Sequence, residues 1–253
     1  MSVLARLVVA AVVALAIAAP ARIAQAQERE AAFMAKQAND CPGCNLAGVS
    51  LKRRNLAGAN LAGANLEEVS FHHANLRGAN LAGANLAFAN FNRADLTFAN
   101  LEKADLTGAM LFAADASAAI FAGADLTEVL MGNARLIRAN LESATLFKAD
   151  LGGARLTDAR LANAILSEAD FRQTALFRAD MRGVTAEATY FAGADMRAAV
   201  LDGAVLRGSN FDLADLADAT LRNADLLAAT MATTNLQNAD LTGARMPDSK
   251  VHP

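Results

Sequence analysis

Ala59-Asn60-Leu61-Ala62-Gly63-Ala64-Asn65-Leu66-Glu67-Glu68 is two copies of a five-residue pattern that runs in phase from Asn45 to Met246. The central apolar residue always has a number ending in 1 or 6. From Leu46 to Met246 there are 41 such positions, occupied by 28 Leu, 6 Phe, 5 Met and 2 Ala. Two residues earlier stands a small residue, Ala in 31 of the 41 units, and between them Asn (12) or Asp (11). A fixed short period of this kind signals a repeat architecture and overrides any domain count drawn from the 253-residue length.

Five residues match neither helical periodicity nor simple strand alternation. Within a unit the Ala and the Leu are two apart, so in extended backbone both face the same side. The intervening Asn or Asp faces out, and the last two residues, often Ala-Gly or Thr-Gly, supply a turn that Gly accepts without steric cost. The chain takes a short inward-facing step, turns a corner and repeats. Four corners close a square coil of 20 residues. Sorting the central positions by twenties supports this closure: Leu51, Phe71, Phe91, Leu111, Met131, Leu151, Phe171, Phe191, Phe211 and Met231 form one column with five of the six central Phe. Random placement would put one or two there. Phe71, Phe91, Phe171, Phe191 and Phe211 therefore read as an aromatic ladder along one wall, with Phe121 alone elsewhere.

The motif Ala-(Asn/Asp)-Leu-x-x resembles that of the pentapeptide-repeat family over Asn45 to Met246. The Cys-Pro-Gly-Cys-Asn-Leu start is similar to openings of its exported members. The resemblance implies an all-β fold, a right-handed quadrilateral β-helix. About ten coils at roughly 4.8 Å per stacked strand give a rod near 48 Å long. It also implies an alternative function, because some members mimic DNA and bind DNA gyrase, protecting it from quinolones.

Arg6, the apolar run Leu7 to Ala19 and Ala24-Gln25-Ala26 have the order of a secretory signal peptide, with cleavage expected after Ala26. Residues 1–26 are thus read as signal, 27–44 as an N-terminal cap, 45–246 as the β-helix and 247–253 as a tail. Removing Arg6 and Arg22 lowers Lys+Arg from 23 to 21 against 26 acids, a mature net charge of about −5. The expected location is periplasmic or secreted, with no stable membrane insertion after cleavage. Although 54% of residues are hydrophobic, much of that is Ala. Polar residues interrupt the repeats too often for a span of about 20 apolar residues.

Gln27 to Ala38 is rich in helix formers, with Phe33, Met34 and Ala38 as one apolar face, and it reads as a short helix covering the first coil. Cys41 and Cys44 form a Cys-x-x-Cys pair. A disulfide fits an exported chain. A redox-active pair would need a βαβ context, and a zinc site two further ligands, for which His72-His73 are the nearest His.

Stacked columns Asn60-Asn80-Asn100 and Asn45-Asn65-Asn85 predict side-chain ladders. Asp95/Asp115, Asp105/Asp125, Asp150/Asp170 and Asp195/Asp215 also stack. They read either as a cation or small-molecule rail with one carboxyl pKa raised, or as Asp residues each capping its own turn. Glu128-Lys148-Glu168 and Arg182-Asp202-Arg222 predict vertical ion ladders. Ala116 and Ala186 replace the large central residue and leave the coil underfilled.

Breaks in the rule are candidate sites. Met110 and Leu130 replace Asn/Asp as vertical neighbours, with Phe88 and Phe112 flanking the same edge, so these four form a candidate protein-contact patch. The partner itself is unknown. Lys52-Arg53-Arg54 is the one basic triplet and Arg135-Arg155 a small basic step; neither makes a stripe of the length nucleic acid needs. His72 and His73, beside Arg53 and Arg93, read as solvated. No Ser/His/Asp set, Gly-rich phosphate loop or clustered metal ligands appears, so neither catalysis nor a cofactor is expected. Pro247 ends the array, and the open last coil either is blunted by the tail or pairs with a second copy as a homodimer.

Overall fold

The computed structural model describes residues 24–252. The signal-peptide reading falls mainly on residues 1–23, outside the described residues. Helix α1 spans 24–34, and a four-sided coil of stacked five-residue units follows.

Each Asn/Asp position pairs with the residue 20 further on through an isolated parallel bridge, beginning with Asn45↔Asn65 and Ser50↔Ser70. The register follows from three inter-coil donors per unit. Leu61 N–H donates to Asn80 O (2.7 Å) and Gly63 N–H to Ala82 O (2.9 Å), both one coil ahead. The N–H of the Asn/Asp position reaches back, as Asn80 N–H to Ala59 O at 2.9 Å, and a bond within the turn closes the corner: Ala64 N–H donates to Leu61 O at 3.1 Å. Up to Gly243, the third residue of each turn but that at Thr233 takes a left-handed φ, +63° at Gly63. Non-glycine residues adopt the same conformation, including Arg53 (+57°), Phe88 (+57°) and Glu128 (+56°). Their strain, of order 1–2 kcal/mol each, is held by the donor that the turn aims at the next coil, as in Phe88 N–H to Thr107 O at 2.9 Å.

Inside, the central residues and their Ala partners are buried along the rod. Phe71 and Phe91 stack with ring centroids 4.9 Å apart, Phe171 and Phe191 at 5.4 Å, Phe191 and Phe211 at 5.0 Å. The wall they line, the Phe wall, carries residues 49–53 and every unit 20 further on. Asn ladders form outside: Asn65 Nδ2 donates to Asn45 Oδ1 (3.0 Å), Asn85 Nδ2 to Asn65 Oδ1 (3.2 Å) and Asn80 Nδ2 to Asn60 Oδ1 (3.2 Å). Ala116 and Ala186 stay buried. At Ala186 the neighbouring small positions enlarge to Thr189 and Ser209, both buried. Ser209 Oγ donates to Ala186 O and accepts Thr189 N–H at 3.1 Å, bridging a turn that elsewhere closes directly. The missing Leu is compensated by hydroxyls that have partners, as buried polar groups require.

The N-terminal end differs from expectation in three ways. Helix α1 ends at residue 34 rather than 38, because Lys36 takes φ +59°. Lys36 N–H then donates to Phe33 O and Gln37 N–H to Ala32 O, the bond pair of a Schellman stop. Phe33 is fully buried while Met34 is 46% exposed, so Met34 is not on the packed face. Second, the coil begins before Asn45. Cys41 N–H donates to Asn60 O and Gly43 N–H to Ala62 O, so Cys41 sits where a central Leu would. Asp40 Oδ1 accepts Asn60 N–H at 2.8 Å, replacing a missing ladder carbonyl. Cys41 and Cys44 are disulfide-bonded and buried. Third, Arg54 is not a surface cation. It occupies an inward Ala position, which is free to exit only at the first coil. Its guanidinium lies 3.9 Å from the Phe33 ring centroid and donates to Phe33 O (2.5 Å) and Ala38 O (3.2 Å).

At the other end the tail folds back. Arg245 bridges Val251 antiparallel, Gly243 N–H donates to His252 O and Met246 N–H to Lys250 O. It covers one side, while Met231, Leu236 and Leu241 remain half-buried.

Arg54→Ala should loosen the cap by about 1.5–3 kcal/mol, the range for a hydrogen bond from a charged group. Hydrogen exchange should then accelerate at Ala35 to Ala38 and leave amides beyond Leu141 unchanged; equal protection in both proteins would contradict the clamp.

Candidate functional site: the outer face of the Phe wall

Outward from the Phe ladder, three files of side chains run the length of the rod, and two of them shape this site. One contains Met110, Leu130, Asp150, Asp170 and Tyr190, joined by successive bridges. The other contains Asn92, Phe112, Gly132, Gly152 and Arg172. Side chains rise at both ends of the second file and are missing at its middle. The result is an open groove of about 620 Å³, floored by Gly132, Gly152 and Gly153. Met110, Phe112 and Leu130 line its N-terminal end, and Asp150, Asp170 and Arg172 its C-terminal end. Phe112 is 47% exposed and is positioned by its own N–H donating to Asn92 Oδ1 at 2.8 Å. Leu130 is likewise 47% exposed.

Phe88, grouped with these three by sequence, lies elsewhere. It is 55% exposed at the preceding corner, and its ring covers Gly108 so closely that a Cβ there would meet it at 2.7 Å. A glycine one coil ahead removes the obstacle and lets the ring lie flat, away from the groove.

The acidic end is a set of capped turns. Asp150 Oδ1 accepts Gly152 N–H and Asp170 Oδ1 accepts Arg172 N–H, both at 2.9 Å. Asp95, Asp105, Asp115 and Asp125 each take the N–H two residues on in the same way. The raised pKa expected from stacking is not found at Asp170 or Asp195. The side-chain hydrogen bond from Arg172 holds Asp170 below the usual carboxylate range against an opposing desolvation, and Arg197 does the same for Asp195. These arginines fold back onto the Asp of their own unit because both side chains leave the same outer face. For the same reason Arg182 pairs with Asp180 at 2.5 Å, whereas the Arg222 guanidinium reaches Asp240 in the next coil at 2.6 Å and only its backbone N–H donates to Asp202 Oδ1, at 3.0 Å. Of the second ladder, Lys148 reaches Glu168 at 3.6 Å. Among the described residues no group of three or more His, Cys, Asp or Glu is arranged to hold a metal ion.

Two features escaped sequence reading. The glycine floor was legible only as consecutive Gly132 and Gly152 in one file, an absence of side chains. Arg54 was visible as the one charge in an inward file, although it reads first as part of a basic triplet.

A model of pentapeptide repeats matches in eight copies between residues 44 and 248. The chain belongs to the pentapeptide-repeat family. Its square coil is the family's right-handed quadrilateral β-helix. This pentapeptide-repeat protein is 30% identical to HetL of the cyanobacterium Nostoc sp. strain PCC 7120, a protein involved in heterocyst differentiation regulation. That similarity covers 87% of this chain and 96% of HetL, with a TM-score of 0.60. A pentapeptide-repeat protein of the Arabidopsis thaliana thylakoid lumen is 33% identical over 36% of this chain and 66% of its own, with a TM-score of 0.25. QnrB1, a plasmid-mediated fluoroquinolone resistance protein, is 18% identical over 77% of this chain and 87% of its own, with a TM-score of 0.43. No curated protein sequence matches.

The depressed carboxyls fix the sign of an acid titration. Asp170, Asp180 and Asp195 have folded pKa values below their unfolded value near 3.9. Their contribution to stability is present above about pH 4 and is lost as pH falls through the folded values. Melting temperature should therefore hold from neutrality to about pH 5 and fall only below about pH 4. Carbon-detected NMR checks the assignment, and an Asp170 midpoint at or above the ordinary value would contradict it.

Proposed function

We propose that this protein is a non-enzymatic, exported docking rod that holds an extended segment of another protein against the outer face of its Phe wall. The observation that carries this reading is the groove itself. Three apolar side chains, Met110, Phe112 and Leu130, border a glycine floor on a rigid wall, and Asp150 at the far end has no ion-pair partner among the described residues. From the Met110 row to the Arg172 row is three coil steps, about 14 Å, which accommodates four to five extended residues. Solenoids serve as such surfaces because each repeat adds one row of side chains without changing the core. Nearly every polar cluster on the rod is already paired internally, and that supports a binding role over a chemical one.

DNA mimicry, the alternative implied by family resemblance, would need a consistently acidic surface. Here arginines neutralise Asp in the C-terminal half, and Lys52, Arg53 and Arg93 leave the N-terminal part of the Phe wall basic. A second contact is a copy of the same chain stacked on the last coil, supported by half-buried Met231, Leu236 and Leu241. Sedimentation velocity over a range of concentrations tests it, and a monomer throughout would exclude it.

Export is tested by terminal sequencing of the protein from fractionated cells. The expected product starts at Gln27 outside the cytoplasm; intact residues 1–26 in the cytoplasm would overturn it. Docking is tested by a photo-crosslinking residue placed at position 132 and, on the opposite wall, at 162. Crosslinks to an identifiable peptide segment should form at 132 alone and drop at least tenfold in Phe112→Ser/Leu130→Ser, the loss of about 1.5–3 kcal/mol per buried side chain. Equal crosslinking from both walls would remove the reading.

A further inference from the structure

The Phe wall is divided by charge. Between Asn45 and Ala94 the chain has five Lys/Arg against two Glu. Arg54 clamps the cap, and Arg77 turns onto the Phe98 ring, 4.8 Å from its centroid, with a hydrogen bond to Thr97. The other three stand together on the Phe wall. Lys52 and Arg53 occupy one row, His72 and His73 the next, Asn92 and Arg93 the third. The rows stack directly, through Arg53 N–H to His72 O (3.0 Å) and His73 N–H to Asn92 O (3.1 Å). Arg53, His73 and Arg93 share one turn conformation, with φ between +56° and +57°, so their side chains leave the wall in one file. The two imidazoles meet edge to face, 4.4 Å between centroids.

Lys52, Arg53 and Arg93 form no ion pair among the described residues. In the later coils Arg160, Arg172, Arg178, Arg182, Arg197, Arg207 and Arg222 are all paired. Arg138 and Arg155 also form no ion pair among the described residues, but Lys52, Arg53 and Arg93 are three open cations that share one wall within three rows. The next row on the same wall is Phe112, where the groove begins.

We propose that Lys52, Arg53, His72, His73 and Arg93 bind an acidic segment of a protein whose apolar side chains continue into the groove at Phe112 and Leu130. This deepens the docking reading and rests on it. The patch spans three rows, about 10 Å, and gives way to apolar surface, which suits a short acidic peptide and not a regularly charged polymer. Two rows, about 10 Å, separate the imidazoles from Phe112, so about three extended residues lie between the acidic and apolar blocks of the ligand.

The site is also pH-dependent in a stated direction. Desolvation, then the positive charges of His73, Lys52, Arg93 and Arg53, hold His72 below the ordinary imidazole value. Glu67 and Glu68 are the acids nearest in sequence, and they belong to the preceding wall and its corner. At neutral pH the patch has three permanent charges. Protonation of His72 adds to them, so an acidic ligand binds more tightly as pH falls.

The experiment is fluorescence anisotropy with a labelled, end-capped peptide bearing a Glu-Glu-Glu block three residues from a Phe-Ala-Leu block, made in both orders. Binding should be at least about threefold tighter near pH 5.5 than near pH 7.5. It should weaken about tenfold in Lys52→Glu/Arg53→Glu/Arg93→Glu. His72→Gln/His73→Gln should remove the pH dependence while keeping the neutral-pH affinity. All five side chains point outward, so unchanged circular dichroism is expected; if the charge reversal misfolds, the Gln versions of the same three positions replace it. An all-Gln peptide binding as well as the Glu peptide would overturn the proposal. So would a single-stranded oligonucleotide or a phosphatidylglycerol vesicle binding more tightly than the peptide. Loss of binding in Phe112→Ser/Leu130→Ser with none in the charge-reversed variant leaves the groove standing and removes the acidic-segment site. Loss in neither removes both.

Discussion

Every part of this molecule depends on one hydrogen-bond register. Before the last coil, the N–H of each central residue and of the third residue in each turn finds a carbonyl one coil ahead, Leu213 excepted, which uses Thr233 Oγ1, and from Asn65 onward the N–H of each Asn/Asp position finds one a coil behind. A unit of six residues would rotate all later side chains to the wrong face and strand the inter-coil donors, and an unpaired buried backbone group costs more than a pair contributes. This explains why the five-residue phase never slips although the side chains vary widely. It also explains why Phe88, Arg53 and Glu128 tolerate a left-handed turn. The backbone ladder imposes that conformation, and the residue there is chosen for what it presents outward.

Because the ladder fixes the backbone, inside and outside are nearly independent. A defect in the core is repaired in the core, as Thr189 and Ser209 do beside Ala186. A break outside leaves the core unchanged, as with Met110 and Leu130 above an unbroken file of Leu111, Met131 and Leu151. Surface chemistry is then written in three outward files per wall, and the Phe wall passes from cations to an apolar groove to capped carboxylates.

This independence sets what could be read from sequence. Inward positions obey volume, so the columns, the four walls and the Phe ladder were legible from residue type alone. The apolar substitutions Met110, Phe112 and Leu130 stood out because they break a polar rule. Phe88 broke the same rule but was misplaced, since its direction depends on Gly108 one coil away. The groove floor was hard to see because glycines write nothing. Arg182 and Arg222 were assigned to vertical ladders, yet long flexible side chains choose the nearest Asp, and that choice is made in three dimensions. At the start of the coil, Cys41 and Asp40 already serve as a repeat unit, but neither residue type announces it.

The rod is also a graduated scale. Its rows recur about every 4.8 Å, whereas an extended chain presents a side chain to one face about every 6.7 Å. The two scales disagree at every single mark and return to near coincidence after three rows, about 14 Å, against two chain intervals, about 13 Å. Lys52, Phe112 and Arg172 stand three rows apart in the same file. A segment laid along this wall can therefore meet a cation, an aromatic ring and a salt-bridged guanidinium at matched positions while passing over the rows between. The spacing of coils, fixed by the backbone alone, thus acts as a vernier that selects which outward residues count together.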